Sequence, residues 1–213
     1  MVIFLKTFFI PLSVAILMLA VPARAEPITI LALGDSLTAG LGLDPSAAFP
    51  ARLEAALRNK GHDVTVRNAG VSGDTAAQGA ARLDWALTDD VDAAIVELGA
   101  NDALRGLPVA QAEAALGEIL GKLKVKGLPV LLAGMRAPPN LGPDYAGQFD
   151  GMYQRLAEVH GAAVYPFFLE GVAARPDLNQ ADGMHPNGKG VELIVEKILP
   201  AVEALITAIK EKT

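Results

Sequence analysis

The chain contains no cysteine among its 213 residues, and this absence excludes several kinds of chemistry. Without thiols, the protein can form neither disulfide bonds nor thiolate metal sites, and no cysteine can act as a nucleophile. Histidine is also scarce, with three residues in the whole chain. One motif histidine among scattered acids does not give the ligand spacing that a catalytic metal needs. The sequence therefore predicts neither a metal site nor a cofactor.

Basic residues are fewer than acidic ones, with 18 lysines and arginines against 24 aspartates and glutamates and a formal net charge of −6. Nucleic-acid-binding proteins usually present a basic surface, to which single-strand binders add aromatic side chains. Aromatic residues make up 5% of this chain and form no basic, aromatic stripe in the sequence. We therefore expect no nucleic-acid partner.

The first 25 residues have the composition of a secretory signal peptide. Lys6 lies in a short amino-terminal region, an apolar stretch runs from Phe8 to Ala20, and Ala23-Arg24-Ala25 places small residues at both key positions of a cleavage site. This pattern predicts cleavage before Glu26. Residues 1–25 are therefore interpreted as a signal peptide, and the protein as exported, either periplasmic or secreted.

An uncleaved membrane anchor is the alternative interpretation of the same segment. From Val2 to Val21 only Lys6 is charged, so the apolar stretch approaches the length that spans a bilayer. The cleavage signal that follows favours removal, after which no stable membrane anchor is expected. Cleavage removes Lys6 and Arg24 but no acid, which leaves 16 basic and 24 acidic residues and a net charge of −8 in residues 26–213.

Residues 26–213 alternate short apolar runs with amphipathic stretches, a pattern typical of βαβ units and a parallel sheet. The apolar runs predict five strands, Ile28–Leu33, Val64–Arg67, Ala93–Leu98, Val130–Ala133 and Ala163–Pro166. We find no internal repeat, low-complexity segment or linker, and a chain of this length is ordinarily one domain. The prediction is a single α/β domain of three layers, α/β/α.

Proline and glycine mark the ends of the predicted helices. The amphipathic stretches predict helices over Ala51–Lys60, Val109–Lys126, Tyr145–Val159 and Gly188–Lys210. A glycine closes each of the first three, and the second starts directly after Pro108, which follows the usual asymmetry of proline first and glycine last. Pro200 lies inside the last range, so we expect that helix to be kinked or split.

Four short motifs lie at the ends of predicted strands or in the loop before the last helix. They are Gly34-Asp35-Ser36-Leu37, Asn68-Ala69-Gly70-Val71-Ser72-Gly73, Gly99-Ala100-Asn101-Asp102 and Asp182-Gly183-Met184-His185-Pro186. The first three motifs follow the first three strands. Because the carboxyl ends of parallel strands meet at one edge of a sheet, Ser36, Gly73 and Asn101 are expected to face the same crevice.

These four motifs, in this order, resemble those of the SGNH hydrolases, also called the GDSL esterase/lipase family, whose letters fall here on Ser36, Gly73, Asn101 and His185. Longer stretches are similar to one branch, the periplasmic group of acyl-CoA thioesterase I, lysophospholipase and arylesterase. These stretches are residues 33–40, 97–106 and 165–168. The resemblance implies a flavodoxin-like five-stranded parallel sheet, whereas the strand pattern alone establishes only a parallel α/β fold.

Ser36 is interpreted as the nucleophile, His185 as its base and Asp182 as the acid that orients the base. A serine hydroxyl is a weak nucleophile until a base removes its proton. Asp182 lies three residues before His185, and on a turn this offset lets its carboxylate accept from Nδ1 and leaves Nε2 for Ser36. Two structural alternatives are open: Ser36 as a helix N-cap, and Asp182 in an ordinary Asx turn.

The resemblance also implies an oxyanion hole, formed by the backbone amides of Ser36 and Gly73 and the side-chain amide of Asn101. Such donors stabilise the negative charge of a tetrahedral intermediate from about 3 Å away. From the residues alone, Gly73 is equally well explained as a left-handed turn residue, and Asn101 as the N-cap of a helix before Asp102.

The other polar residues near the motifs are interpreted as structural. Asp35, Asn68 and Asp102 are expected to hold loops rather than to transfer protons. His62 and His160 each lie beside a glycine at a helix end and are expected to face solvent.

Two apolar loops, residues 103–108 and 135–145, are expected to border the site and to bind an acyl chain or an aromatic group. Their candidate contact residues are Leu104, Leu107, Met135, Pro138 and Tyr145. The expected partners are small-molecule esters or thioesters, hydrolysed through an acyl-enzyme on Ser36. The alternatives are a carbohydrate O-acetylesterase and a non-catalytic lipid- or glycan-binding module; the complete set of serine, aspartate and histidine argues against the latter.

Overall fold

The computed structural model describes residues 27–211, and the predicted signal peptide, residues 1–25, lies outside them. The described residues form five β-strands and seven α-helices, joined by loops and two short 3₁₀ turns. No helix between residues 27 and 211 combines the length and the apolar composition needed to cross a bilayer.

A five-stranded parallel sheet forms the centre of the protein. Its strands are β1 (Ile28–Gly34), β2 (Val64–Gly70), β3 (Ala93–Glu97), β4 (Val130–Ala133) and β5 (Ala163–Tyr165). They pair in the order β2-β1-β3-β4-β5. The residues of β3 and β4 are all buried, which explains why these strands are apolar except for Glu97 at the end of β3. The strand order is that of the flavodoxin-like sheet, so this expectation is confirmed.

Helices cover both faces of the sheet, which gives the predicted three layers. They are α1 (Ser36–Ala39), α2 (Phe49–Asn59), α3 (Ala76–Ala86), α4 (Ala100–Leu104), α5 (Val109–Val125), α6 (Pro143–His160) and α7 (Gly188–Lys210). On one side α2 packs against α7, and on the other α5 packs between α3 and α6. A continuous apolar core joins these helices to the sheet, with the Phe49 and Phe168 rings in edge contact at 4.9 Å.

The helix α7 continues through Pro200 and is not split there. Apolar side chains on both sides of the proline, among them Ile194, Ile198 and Val202, are fully or almost fully buried. We attribute the continuity to this packing, which offsets the loss of the backbone hydrogen bond that proline cannot donate.

Two helices near the site, α3 and α4, were not among the predicted elements. The sequence nevertheless contains a signal for the start of α3, because Thr75 and Gln78 have the spacing of a capping box. In the structure, Gln78 N donates to Thr75 Oγ1 at 3.4 Å and Thr75 N donates to Gln78 Oε1 at 2.9 Å. The helix α4 has only five residues and begins behind Gly99, whose φ of +114° favours glycine.

Candidate active site

The first three sequence motifs meet at the carboxyl edge of the sheet, because β1 lies between β2 and β3. Ser36 comes two residues after the end of β1 and opens α1, Gly73 lies in the loop after β2, and Asn101 lies in α4 after β3. His185 reaches the same edge from the loop that precedes α7.

His185 connects Ser36 to Asp182. The Ser36 Oγ lies 2.9 Å from His185 Nε2, and His185 Nδ1 lies 2.6 Å from Asp182 Oδ2. Ser36 is buried and the His185 side chain is mostly shielded, whereas 40% of the Asp182 side chain is exposed. The structure thus brings together the three residues interpreted as nucleophile, base and orienting acid, in the sequence that proton transfer requires.

The interpretation of Ser36 as a helix cap is wrong, because Asp35 caps α1 instead. The Asp35 Oδ1 accepts a hydrogen bond from Leu37 N at 3.0 Å, and Ser36 is the first residue inside the helix. The cap therefore leaves the serine hydroxyl available for its contact with His185.

The Asx turn and the orienting role of Asp182 occur together, one on each oxygen of the carboxylate. Oδ1 accepts from Met184 N at 2.9 Å and from His185 N at 3.0 Å, while Oδ2 faces the imidazole. These two amides, followed by the His185 side chain, lower the pKa of Asp182 to about 2. Asp182 is consequently ionised at neutral pH, as an acceptor for the His185 Nδ1 proton must be.

Backbone contacts hold the loop of His185 against the rest of the site. Gln180 N donates to the His185 carbonyl at 2.8 Å, and the Gln180 side chain donates to the carbonyl of Leu41, just beyond α1, at 2.7 Å. The loop ends at Asn187, whose Oδ1 accepts from Lys189 N and Gly190 N and so caps α7. Gln180 therefore links the segment of His185 to the segment that follows Ser36, a role that the sequence motifs did not indicate.

Asn101 is not a helix cap, because it is the second residue of α4 and Gly99 occupies the cap position. Its Nδ2 lies 2.9 Å from Asp35 Oδ2 and 3.1 Å from the Asp74 carbonyl oxygen. The two acceptors fix the orientation of the side-chain amide beside Ser36, with which Asn101 lines one cleft.

Gly73 has a φ of +88°, so the interpretation as a left-handed turn residue is correct. Asp74 N donates to Val71 O at 3.1 Å and closes the turn that contains Gly73. Arg105 donates to the Gly73 carbonyl at 2.7 Å. The turn conformation is compatible with a role of the Gly73 amide in an oxyanion hole. Gly73 is joined to Asn101 through the next residue, Asp74, whose carbonyl Asn101 contacts.

Two buried acids, Asp35 and Glu97, lie close to the helix α1 that Ser36 opens. Asp35 has no exposed surface, and burial raises its pKa to about 6 although Leu37 N and Asn101 donate to it. Glu97, the last residue of β3, is also fully buried, and burial followed by the nearby Asp35 charge raises its pKa well above the usual value. The Thr38 hydroxyl donates to Glu97 Oε2 at 2.8 Å, while Oε1 has no partner among the described residues. We predicted no role for Glu97 from the sequence. The signal that could have indicated one is an acidic residue at the end of an apolar strand.

The remaining motif residues hold loops, as interpreted from the sequence. Asp102 accepts from Ala76 N at 2.8 Å at the start of α3, and Asn68 accepts from Gly70 N at 2.9 Å. The two other histidines are half-buried rather than solvent-facing. His62 Nε2 lies 3.2 Å from Glu203 of α7, and the His160 ring lies against α5, so packing between helices covers both.

Ser36, Asn101 and His185 line a cleft of about 310 Å³ whose other walls are largely apolar. Three of the predicted contact residues line it, namely Leu104, Met135 and Pro138; further apolar lining comes from Leu37, Phe167, Leu169 and Met184. Leu104 and Met184 are large apolar side chains that are 59% and 53% exposed. An apolar wall with a few convergent polar groups suits a substrate that has an acyl or aromatic part.

Leu107 and Tyr145, also predicted as contacts, do not line this cleft. The Tyr145 hydroxyl donates to the Leu107 carbonyl at 2.8 Å, and the Tyr145 ring stacks on Phe149 at 6.0 Å. These contacts join the loop after α4 to α6. Between residues 27 and 211, no three histidine, aspartate or glutamate side chains form a group that could hold a metal ion.

The sequence and the fold of the chain are similar to those of known proteins. Residues 32–193 match the GDSL-like Lipase/Acylhydrolase family. The chain is 40% identical over 193 residues to Esterase TesA of Pseudomonas aeruginosa, covering 90% of this chain and 95% of that protein. It is 38% identical over 179 residues to thioesterase 1/protease 1/lysophospholipase L1 of Escherichia coli, covering 84% and 85%. The solved structure of AlinE4, an SGNH-hydrolase family esterase, matches with a TM-score of 0.72 and 50% identity, covering 85% of this chain and 98% of AlinE4.

Proposed function

Because the chain belongs to the GDSL-like lipase/acylhydrolase family, it is an ester hydrolase, and we propose that it acts through an acyl-enzyme on Ser36. The observation that carries the proposal is the 2.9 Å contact between Ser36 Oγ and His185 Nε2. The 2.6 Å contact of His185 Nδ1 with Asp182 supports it, because an ionised acid at that position leaves Nε2 ready to accept a proton.

In the first half of the proposed reaction, His185 takes the Ser36 proton while Oγ attacks the acyl carbon. The tetrahedral intermediate collapses, the bond to the leaving oxygen or sulfur breaks, and His185 returns the proton to the leaving group. In the second half, water attacks the acyl-enzyme with His185 again as the base. The carboxylic acid leaves and Ser36 regains its proton.

The proposed oxyanion donors are the backbone amides of Ser36 and Gly73 and the side chain of Asn101. Asn101 Nδ2 directs its two N–H groups to Asp35 and to the Asp74 carbonyl, which holds the amide beside Ser36, and one of them must turn from its acceptor to bind an oxyanion. The two backbone donors are held by the fold and need no such change as negative charge develops.

The proposed substrates are small carboxylic esters and thioesters with an acyl or aryl group, as in a lysophospholipase, thioesterase or arylesterase. The apolar lining of the cleft favours these groups over carbohydrate acetates, whose polar rings need many hydrogen-bonding partners. The assembled Ser36, His185 and Asp182 argue against a non-catalytic binding module.

The test is a rate profile on p-nitrophenyl esters of increasing acyl length, measured for residues 26–213 and for the same chain with Ser36→Ala. We expect wild-type rates to depend on chain length, and a fluorophosphonate to label Ser36. Removing a nucleophile typically costs several orders of magnitude in kcat, on the order of 10⁶-fold in a well-studied serine protease. A folded Ser36→Ala protein that kept the full rate would contradict the acyl-enzyme, and activity confined to acetylated sugars would favour the O-acetylesterase.

We further propose that residues 1–25 are a cleaved signal peptide and that residues 26–213 act in the periplasm or outside the cell. The cleavage signal Ala23-Arg24-Ala25 supports this. Amino-terminal sequencing of the exported fraction should give a chain that begins near Glu26. An intact Met1 in the membrane fraction would instead support an uncleaved anchor.

A further inference from the structure

Arg82, on the inner side of α3, binds three different segments of the site with one guanidinium group. Its Nε donates to Asp74 Oδ2 at 2.6 Å, Nη1 to the Ala69 carbonyl at 2.8 Å and Nη2 to the Gly34 carbonyl at 2.9 Å. The side chains of Arg82 and Asp74 are only 19% and 10% exposed. Arg82 is thus a largely buried cation, each of whose three nitrogens donates a hydrogen bond, and it has no role in the mechanism described so far.

Each of the three acceptors belongs to a segment that leads to a proposed oxyanion donor. Gly34 ends β1 and lies two residues before Ser36, and Ala69 lies near the end of β2, before the loop of Gly73. Asp74 directly follows Gly73 in that loop. Because the guanidinium is planar and its donors have fixed directions, the three acceptors are held in one mutual arrangement.

The link continues from Asp74 to the third donor. The Asp74 carboxylate binds Arg82, its amide closes the turn around Gly73 by donating to Val71 O at 3.1 Å, and its carbonyl accepts from Asn101 Nδ2 at 3.1 Å. A shift of Asp74 would therefore change the direction of the Gly73 amide and of the Asn101 amide together. Arg82 itself is not among the described residues that line the cleft.

We propose that Arg82, through its ion pair with Asp74, is a positioning residue that aligns the oxyanion donors Gly73 and Asn101. The inference rests on the proposed acyl-enzyme mechanism, because it assigns Arg82 a purpose within that mechanism. A purely structural ion pair would affect the stability of the fold and leave the rate of the folded protein unchanged.

The main test replaces Arg82 with lysine, which keeps the charge but cannot bind three acceptors in a plane. We expect kcat on a short p-nitrophenyl ester to fall by tens of fold, up to about 10²-fold, because small displacements of aligned groups have effects of this size. KM should change little, because the loss affects mainly the transition state. An Arg82→Lys protein with a lower melting temperature but a wild-type kcat would overturn the proposal.

A double variant tests whether Arg82 acts through Asn101. If it does, Arg82→Lys should slow the Asn101→Ala protein by a smaller factor than it slows wild type, because one of the two donors that Arg82 aligns is already missing. Losses that multiply would show independent effects and would overturn the link to Asn101. If Arg82→Lys does not fold, Asp74→Asn takes its place in the same comparison. This substitution removes the negative charge of the ion pair and keeps the backbone contacts of Asp74. A wild-type kcat of Asp74→Asn would count against the proposal.

Arg155 offers a matched control. Arg155 lies in α6, and its Nε and Nη2 each donate to Glu113 of α5 at 2.9 Å. Its Nη2 also donates to the Gln148 carbonyl at 3.2 Å, so Arg155, like Arg82, binds a carboxylate and a backbone carbonyl. We expect Arg155→Lys to keep the wild-type kcat. Labelling of wild type by a fluorophosphonate distinguishes the two proposals. No labelling at Ser36 would contradict the acyl-enzyme itself. Labelling at Ser36 together with a wild-type kcat of Arg82→Lys would contradict only the positioning role of Arg82.

Discussion

Asp35 directly precedes Ser36 and Asp182 contacts His185, and the pKa values of these two acids are shifted in opposite directions. Asp35 is buried, caps the helix of the nucleophile and has its pKa raised to about 6. Asp182 is partly exposed, lies in a turn and has its pKa lowered to about 2. Buried acids therefore lie on the Ser36 side of the site, and a partly exposed, ionised acid lies on the His185 side.

The cause of the difference is the surroundings of each carboxylate rather than its distance from the active serine. Burial disfavours the charged form of Asp35, although one backbone amide and Asn101 donate to it. Two backbone amides and the imidazole donate to Asp182 with little loss of hydration. An acid that must stay ionised to orient a base is thus kept near solvent, while an acid that holds the scaffold is buried.

The largest effect is expected for Asp182→Asn, which tests whether the ionised acid orients His185. The amide can still accept from Met184 N and His185 N, so the turn should persist, but it can present an N–H group to His185 Nδ1 and favour the wrong tautomer. We expect kcat to fall on the order of 10³–10⁴-fold with little change in melting temperature. The measurement is steady-state hydrolysis of a p-nitrophenyl ester together with thermal unfolding.

Asp177→Asn is the control for that variant. Asp177 is a nearby exposed acid whose pKa is lowered by Arg175, and it has no contact with His185. It should keep the wild-type kcat. If Asp182→Asn kept more than a tenth of the rate, Asp182 would not be the orienting acid.

A smaller effect is expected at Asn101, which connects the buried side to the proposed oxyanion hole. Asn101→Ala should lower kcat on the order of 10²–10³-fold and leave KM nearly unchanged, as for other single oxyanion donors. Because Asn101 does not cap α4, its removal has no capping cost to confuse the result. An Asn101→Ala protein with a wild-type kcat would exclude this side chain from the oxyanion hole.

Asn101→Asp tests the contact between Asn101 and Asp35 through the free energy of unfolding. The new carboxyl group would lie beside Asp35, from which Asn101 Nδ2 is now 2.9 Å away, so two acids would share a buried site. We expect this variant to be inactive and also less stable than Asn101→Ala, increasingly so as pH rises and both acids tend to ionise. Unfolding in urea at pH 5 and pH 7 measures this; equal stability of the two variants at both pH values would contradict the contact with Asp35.

The smallest expected effect is the pH dependence of stability due to Glu97. Its folded-state pKa is raised well above the ordinary glutamate value of 4.5, mainly by burial, so the folded protein retains a proton that the unfolded chain releases. Its contribution to stability is therefore fully present below about pH 4.5 and is lost as pH rises toward the folded-state pKa, by about 1.4 kcal/mol per pH unit at most. Asp35 also loses its contribution to stability as pH rises, between pH 3.8 and about pH 6.

Glu97→Gln should remove this part of the pH dependence, because an amide does not titrate and can still accept from Thr38. Urea unfolding between pH 4 and pH 8 should give a flatter stability profile than wild type. Asp44→Asn is a control of opposite sign: the pKa of this exposed acid is lowered by Ser46, so its contribution is lost as pH falls. An unchanged profile for Glu97→Gln would mean that Glu97 is already ionised in the folded protein.

The sequence predicted those features whose signals are local, and it missed those that depend on which segments meet. Strands β1 and β3 were visible as apolar runs, and α5 as a helix between Pro108 and Gly127. Short motifs indicated Ser36, Asp182 and His185, which the structure brings together, while the oxyanion roles of Gly73 and Asn101 came from the family resemblance and stay predictions. The contacts of Arg82 with Gly34 and of Asn101 with Asp35 join residues 48 and 66 positions apart, so no local pattern could indicate them.

The contact between Ser36 and His185 spans 149 positions, and only α7 follows it within the described chain. A chain made from its amino terminus therefore contains the serine long before it contains the histidine. Until His185 and its loop have been synthesised and have closed on the sheet edge, the Ser36 hydroxyl has no imidazole beside it and is an ordinary alcohol. Under the proposed mechanism, a chain that stops before His185 therefore carries no activated serine.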